Sequence, residues 1–333
     1  MLVYNLILLL CILNVFIYSK KLLFSSLLIM CFFCGLRDGV LGYDYFVYES
    51  FYNNLLVAGN EYSYEPFFYY LAYFFKYNGF PFSIFLLFSS AFFHFSLYSL
   101  LVFIKRELKI NIGLVLCLYV STTYFWHSYT LLRQSYSIAI FYLCVLLLFY
   151  NRRRFTLILI NGVGLGFHIG HLSTLIVQLS QNIRFNIKNI FLFFLLFLVG
   201  VYYFPLFAKK IQQYESVTTS GIYPVVEFIF ALCVFFLFIK NRNLFIVSAC
   251  LGSLLAVLGF FYGEILIRFA EPLRIVVPVA LSCLFNYINR LNKNIALLYV
   301  FLLILYCFFR LNYFFVNFGD YAIPYKSILD DIF

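Results

Sequence analysis

Four short segments of this sequence hold most of the side chains that could do chemistry. The first reads RDGVLGYDYFVYESFYNN from Arg37 and continues to YEPFF at Tyr64–Phe68. Arg37, Asp44, Tyr48 and Glu65 stand there among further tyrosines and close to Gly42. Tyrosine rings lie against the apolar faces of sugars while carboxylates accept hydrogen bonds from sugar hydroxyls, so this mixture suits a glycan. The second segment, WHSYTLLRQSYS, places Arg133 and Gln134 at the start of an apolar run, with His127 six residues before Arg133. A lone arginine near a helix end commonly snorkels to lipid headgroups. The third, GFHIGHLS, holds His168 and His171 at i and i+3, on one face if the segment is helical. Two histidines are fewer ligands than a zinc site needs. Either can serve as a base or touch a phosphate, because imidazole titrates near neutrality.

The fourth segment, GEILIRFAEPLR, contributes Arg268 and Arg274. On an unbroken helix Arg274 would lie about 14 Å beyond Ile265. A cation at that depth in lipid needs a partner or a wet cavity. Glu271 could neutralise it across one turn, and Pro272 and Pro278 are expected to kink the helix. Arg133, Arg268 and Arg274 together suit an anionic ligand such as a diphosphate, which the guanidinium fork grips with paired donors.

The elements that position these groups follow from composition. Of 333 residues, 65% are apolar and 11% charged, and the mean hydropathy is +0.98. A soluble domain is less apolar and far more charged, so the chain reads as an integral membrane protein. The apolar runs are continuous rather than alternating, which excludes a β-barrel. The predicted class is all-α and polytopic, one membrane domain over 1–333. About twelve spans are expected, near 2–18, 22–36, 81–104, 111–127, 132–150, 154–168, 170–183, 188–205, 224–240, 244–262, 265–287 and 295–317. Residues 65–77 form a short interfacial helix in this reading. The opening run lacks a basic start and a small-residue cleavage site and is expected to be a span rather than a signal peptide. Gly162, Gly166 and Gly170 make a G-x-x-x-G-x-x-x-G row that lets helices approach closely. The nine cysteines, including Cys31 and Cys34 as C-x-x-C in an apolar run, read as small core residues. Neither a phosphate-binding loop nor a dinucleotide fingerprint is present, and no cofactor is expected.

Charge sets the expected orientation. Threading the spans puts Lys20, Lys21, Lys105, Arg106, Lys109, Arg152, Arg153, Arg154, Arg184, Lys188, Lys240, Arg242, Arg290 and Lys293 on the inner side. Of the 13 acidic residues Glu107 alone joins them. The net charge of +10 is thus an orientation signal rather than a nucleic-acid patch, and all four chemical segments fall toward the outer face.

In order, Arg37, Gly42-Tyr43-Asp44, Tyr48, Tyr64-Glu65-Pro66, Leu132-Arg133-Gln134, Phe167-His168 and a late Arg274 in a proline-containing helix resemble the EpsG/Wzy-type polymerases of bacterial surface polysaccharides. The chain departs from that family at Tyr43, where threonine is more frequent, and at Ile169-Gly170, where Pro-Ser follows the histidine. The resemblance implies a multi-span inner-membrane enzyme with its site on the periplasmic side. It would polymerise oligosaccharide repeat units carried on undecaprenyl diphosphate, for O-antigen, capsule or exopolysaccharide. Asp44 or His168 would be the general base, with Asp44 ahead. Arg133, Arg268 and Arg274 would clamp the diphosphate, Arg37 would orient Asp44 or join that clamp, and Tyr48, Glu65 and His171 would bind substrate. Partners implied are the lipid-linked oligosaccharide, membrane lipids, a chain-length regulator and other assembly-pathway membrane proteins. A flippase for the same lipid-linked oligosaccharide is the competing reading, and a multi-span acyltransferase ranks third. A flippase would call for charges through the middle of several helices, whereas these cluster toward one face.

Overall fold

A computed structural model describes residues 2–37, 44–57, 65–150, 154–174, 244–262 and 264–318, with Val225 and Ile229. Every regular element among them is helical. The predicted span near 188–205, most of those near 170–183 and 224–240, and Gly42, Tyr43 and Tyr64 lie outside the described residues. The chain divides into two compact units, Met1–Ile169 with Leu281–Phe333, and Gly170–Ala280.

In the first unit, α1 (Leu2–Phe16) and α2 (Lys20–Gly35) are joined by a tight turn in which Ser19 Oγ accepts from the Leu22 N–H at 2.9 Å. That bond satisfies one of the donors every helix start leaves open. The region expected to be loop between residues 37 and 65 contains a helix the sequence reading missed, α3 (Tyr45–Asn54). Then comes the expected short helix, α4 (Pro66–Tyr77), with Pro66 in the first turn where its missing N–H costs nothing.

α5 (Phe82–Leu108) is the axis of this unit, packed along α2 and α7 (Leu132–Tyr150). At 27 residues it is about 40 Å long. It and α12 (Lys293–Phe318) are the two described helices long and apolar enough to cross a membrane, and α12 turns Leu297, Phe301, Phe309 and Val316 outward. Shorter apolar helices accompany them. The described helices and their composition are those of a membrane protein.

α6 (Ile112–Tyr119) does not run on to residue 127 as one regular helix. It widens into π turns at Val120–Tyr124 and Trp126–Thr130. Local hydroxyls help: Thr122 Oγ1 donates to the Leu118 carbonyl at 2.6 Å and Ser128 Oγ to that of Tyr124 at 2.7 Å, competing with the regular ladder. α6 also lies very close to α1. A Cβ on Gly113 would run into the backbone of Asn14 and Val15, and Asn111 Nδ2 donates to the Val15 carbonyl at 3.0 Å. α8 (Arg154–Phe167) follows α7 and packs against it and against α4. Of its glycines, Gly166 faces the Phe67 ring, whereas Gly162 faces open space. The predicted small-residue row therefore makes one close contact here rather than a continuous seam.

In the second unit α9 (Leu244–Tyr262) packs on α10 (Glu264–Ala270), with Gly252 against Leu273. The run predicted as one span over 265–287 is broken. A 3-10 turn at Glu271–Leu273 separates α10 from α11 (Val276–Leu291), of which only the residues up to Ala280 belong to this unit. Pro272 lies in the break, while Pro278 sits in the first turn of α11, where proline is tolerated. The 14 Å depth expected for Arg274 presumed an unbroken helix and does not carry over.

Candidate functional site

The site is built at the Phe82 end of α5. There α3 and α4 fold over the helix through an aromatic core of Tyr45, Tyr48, Phe51, Tyr52, Phe68, Phe75, Phe82 and Phe85. Rings meet edge-on or offset at 5.4 to 5.9 Å, as at Tyr45–Phe82, Tyr52–Phe85 and Phe68–Phe85. Such pairs contribute about 0.5–1.5 kcal/mol each beyond their burial. Tyr52 Oη donates to the Phe80 carbonyl at 2.7 Å, locking α3 to the turn at Gly79, and burial pushes its pKa up to about 12.

On this base Arg133, in the first turn of α7, meets two predicted substrate-binding residues. Its Nη1 lies 2.5 Å from Glu65 Oε2, and its Nε donates to Tyr48 Oη at 3.4 Å. Both charged side chains are largely withdrawn from solvent, at 20% and 17% exposure. Arg133 is therefore no snorkelling arginine: two partners from different elements aim its guanidinium. Glu65 can reach it because the residue sits just before Pro66, which sets the start of α4.

Asp44 immediately precedes α3, and its carbonyl accepts from the Tyr48 N–H at 3.0 Å. Its carboxylate does not cap the helix. Four residues separate it from Tyr48, about 6 Å along the axis, on the same face. His168 is reached through its neighbour. Phe167 stacks on Tyr136 at 4.8 Å and 11°, and Tyr136 lies one turn beyond Arg133. Tyr136 Oη is in turn fixed at 2.6 Å from Ser89 Oγ of α5. The chain leaves α8 at this stack, so the buried His168 sits at the same end of the unit.

Arg37 is the largest nearly fully buried side chain, at 2% exposure. Its Nη1 donates to the Cys34 carbonyl at 2.6 Å and its Nη2 to the Tyr129 carbonyl at 3.1 Å. Its guanidinium carbon stands 5.4 Å from the Tyr129 ring and 6.0 Å from the Tyr45 ring. The widened turn after α6 makes this possible, by presenting the Tyr129 carbonyl to a side chain instead of to the helix ladder. A small cavity of about 10 Å³ adjoins it, lined by Arg37, Cys34, Ser89, Ser90, Ser128 and Ser135 on one side and by Leu86, Phe93 and Leu132 on the other. That is close to the room one water occupies.

Thus the fold brings Arg37, Asp44, Tyr48, Glu65, Arg133 and His168 to one end of the first unit. Arg268, Arg274 and His171 belong to the second. There Arg274 Nη1 pairs with Glu271 Oε1 at 3.0 Å, the neutralisation expected from the sequence, although across a 3-10 turn rather than an α-helical one. Tyr136 and the serine-lined cavity were missed, and Phe167, named only as the neighbour of His168, was given no role of its own. Ser128 and Ser135, seven residues apart and flanking Arg133, were the signal for the cavity; nothing in the sequence announced the Phe167–Tyr136 stack. No group of three potential metal ligands gathers among the described residues. The cysteines Cys31 and Cys34 are buried thiols, with Cys34 Sγ donating to the Ser128 carbonyl at 2.9 Å.

Carboxylate, guanidinium, imidazole and tyrosine groups at one end of an apolar helical unit define the class as a helical membrane protein with a polar site among aromatic rings. The sequence pattern of the EpsG family matches residues 20–327, and the chain belongs to that family. The association is with polysaccharide biosynthesis at the membrane. No curated protein and no solved structure matches the chain.

Proposed function

We propose that this protein is a membrane glycosyltransferase that polymerises oligosaccharide repeat units carried on undecaprenyl diphosphate. The observation that carries the reading is the Arg133–Glu65–Tyr48 cluster with Asp44 one turn away, in a chain of the EpsG family. The acceptor sugar lies over the α3–α4 aromatics, and its hydroxyl proton passes to Asp44 or His168. The hydroxyl oxygen then bonds to the anomeric carbon of the donor glycan. The bond from that carbon to the diphosphate oxygen breaks, and the diphosphate leaves with the electron pair. Arg133, aimed by Glu65 and Tyr48, meets the charge that develops on it. Arg37 orients Asp44 or joins Arg133 in that clamp. Arg268, Arg274 and His171 are proposed substrate-binding residues too, each tested by its own substitution.

The rings of Tyr69, Tyr73 and Tyr77 run in parallel along α4, away from Glu65, with neighbours at 17° and about 6 Å between centroids. Such a row suits the faces of successive sugars. The protein crosses the bacterial inner membrane about twelve times, with this site toward the periplasm and the basic turns inside. A chain-length regulator and other assembly-pathway proteins are its proposed partners.

The test is polymer length in a polymerase-null strain complemented with Asp44→Asn or His168→Ala. Single repeat units reaching the surface in place of polymer is the expected result for the variant that lost the base. Full-length polymer from both variants at normal protein levels would sink the assignment of the base. Failure of any repeat unit to reach the surface would point to a flippase instead.

A further inference from the structure

The end of α5 remote from this site carries a second cavity, of about 430 Å³. Its walls come from the α1–α2 turn, the last three turns of α5 and, through Leu146, the C-terminal end of α7. Lys20, Lys105 and Arg106 supply three cations, and Tyr18, Phe103 and Leu146 supply ring and hydrocarbon surface. The size is in the range of small-ligand sites. Lys105 Nζ stands 4.9 Å from the Tyr18 ring, which holds the ammonium on the wall of the cavity. Arg106 lies over the Phe103 ring at 5.7 Å and pairs with Glu107 at 2.8 Å, the one carboxylate between residues 99 and 109. The cations therefore outnumber it three to one. The Ser19-capped start of α2 opens beside Lys20, adding the positive end of a helix to the same rim.

Such a site wants a ligand that is anionic at one end and apolar at the other. The cavity lies at the end of a 27-residue apolar helix, where lipid headgroups lie in a bilayer. We propose that it binds the phosphate headgroup of an anionic phospholipid. The phosphate sits among Lys20, Lys105 and Arg106, and the upper part of an acyl chain lies along Phe103 and Leu146. This assignment does not depend on the polymerase reading, since the cavity and the candidate site occupy opposite ends of α5.

The experiment uses the full chain, purified in detergent, stripped of lipid, and given phosphatidylglycerol or phosphatidylcholine with identical acyl chains. Native mass spectrometry counts bound lipid, and a thermal melt reads stabilisation. Wild-type protein is expected to retain phosphatidylglycerol selectively and to melt higher with it. Lys20→Gln/Lys105→Gln is expected to lose that preference about thirtyfold, from about 1 kcal/mol per lysine. Arg106→Gln, at an exposed position, serves as a milder variant should the double one fail to fold, and Glu107→Gln is expected to strengthen binding. Equal retention of the two lipids, or an unchanged preference in both charge variants, would overturn the proposal. Equal stabilisation by glycerol phosphate at the same concentration would overturn the lipid as the source of the phosphate.

Discussion

Arg133 and Glu65 are 68 residues apart in the chain and meet at 2.5 Å, one from the first turn of α7 and the other from the residue before α4. Neither alone distinguishes a site from a solvated loop. Their meeting, with Tyr48 Oη on the same guanidinium, makes this end of the unit a place where charge is held in a set direction.

Separating the pair is expected to affect folding and activity differently. Arg133→Ala leaves Glu65, largely withdrawn from solvent, without this partner, a loss of about 1–2 kcal/mol once the residual exposure is discounted. Arg133→Lys keeps the charge but not the fork, so stability stays near wild type. Polymer production falls at least about tenfold in both. Thermal melts in detergent alongside polymer gels check the two outcomes, and full polymer from Arg133→Lys would argue against a paired-donor role.

Tyr48→Phe removes one hydroxyl and keeps the ring in the aromatic core. The melting temperature is expected to hold. Activity is expected to fall about three- to tenfold, the loss of one hydrogen bond of about 1 kcal/mol. An equal loss from Tyr52→Phe, whose hydroxyl serves the Phe80 carbonyl, would show that the effect is general loosening of α3.

The stack beneath His168 gives a positioning test. Tyr136→Ala deletes the ring on which Phe167 rests and should depress activity as strongly as substitution of His168, whereas Tyr136→Phe keeps the stack and loses only the bond to Ser89. Polymer length in the complemented null strain distinguishes them. If Tyr136→Ala leaves activity intact, His168 is not held by this contact.

Arg37→Lys should be among the more damaging conservative changes. The ammonium cannot reach both the Cys34 and Tyr129 carbonyls as the planar fork does. A loss of about 2–3 kcal/mol follows from hydrogen bonds to a charged group withdrawn in a buried place. Denaturant unfolding in mixed micelles measures it.

Gly113→Ala tests the α1–α6 approach. The added methyl has only the backbone of Asn14 and Val15 to displace, so the helices must part, at about 1–3 kcal/mol. Gly162→Ala faces open space and is expected to be neutral or slightly stabilising in melting temperature.

Composition and periodicity were enough to read a helical membrane chain and the short helix after Glu65. A long apolar run has few structures open to it when its backbone must satisfy itself. The pairing of Arg274 with Glu271 was legible too, because contacts three residues apart are local. What lay beyond the sequence was longer in range or finer in geometry. α3 hid because its mix of tyrosine and polar residues has no clean period, and it is stabilised by packing on α4 and α5. The break at Glu271–Leu273 could be suspected from Pro272, but proline position alone does not say whether a helix bends or stops. The π turns after α6, which turn the Tyr129 carbonyl toward Arg37, depend on hydroxyls competing with the ladder. The order of charged and aromatic residues thus determined which groups were available. Only the tertiary structure decided that Arg133 turns to Glu65 and Tyr48 instead of the headgroups, because a side chain takes the partners that packing brings within reach.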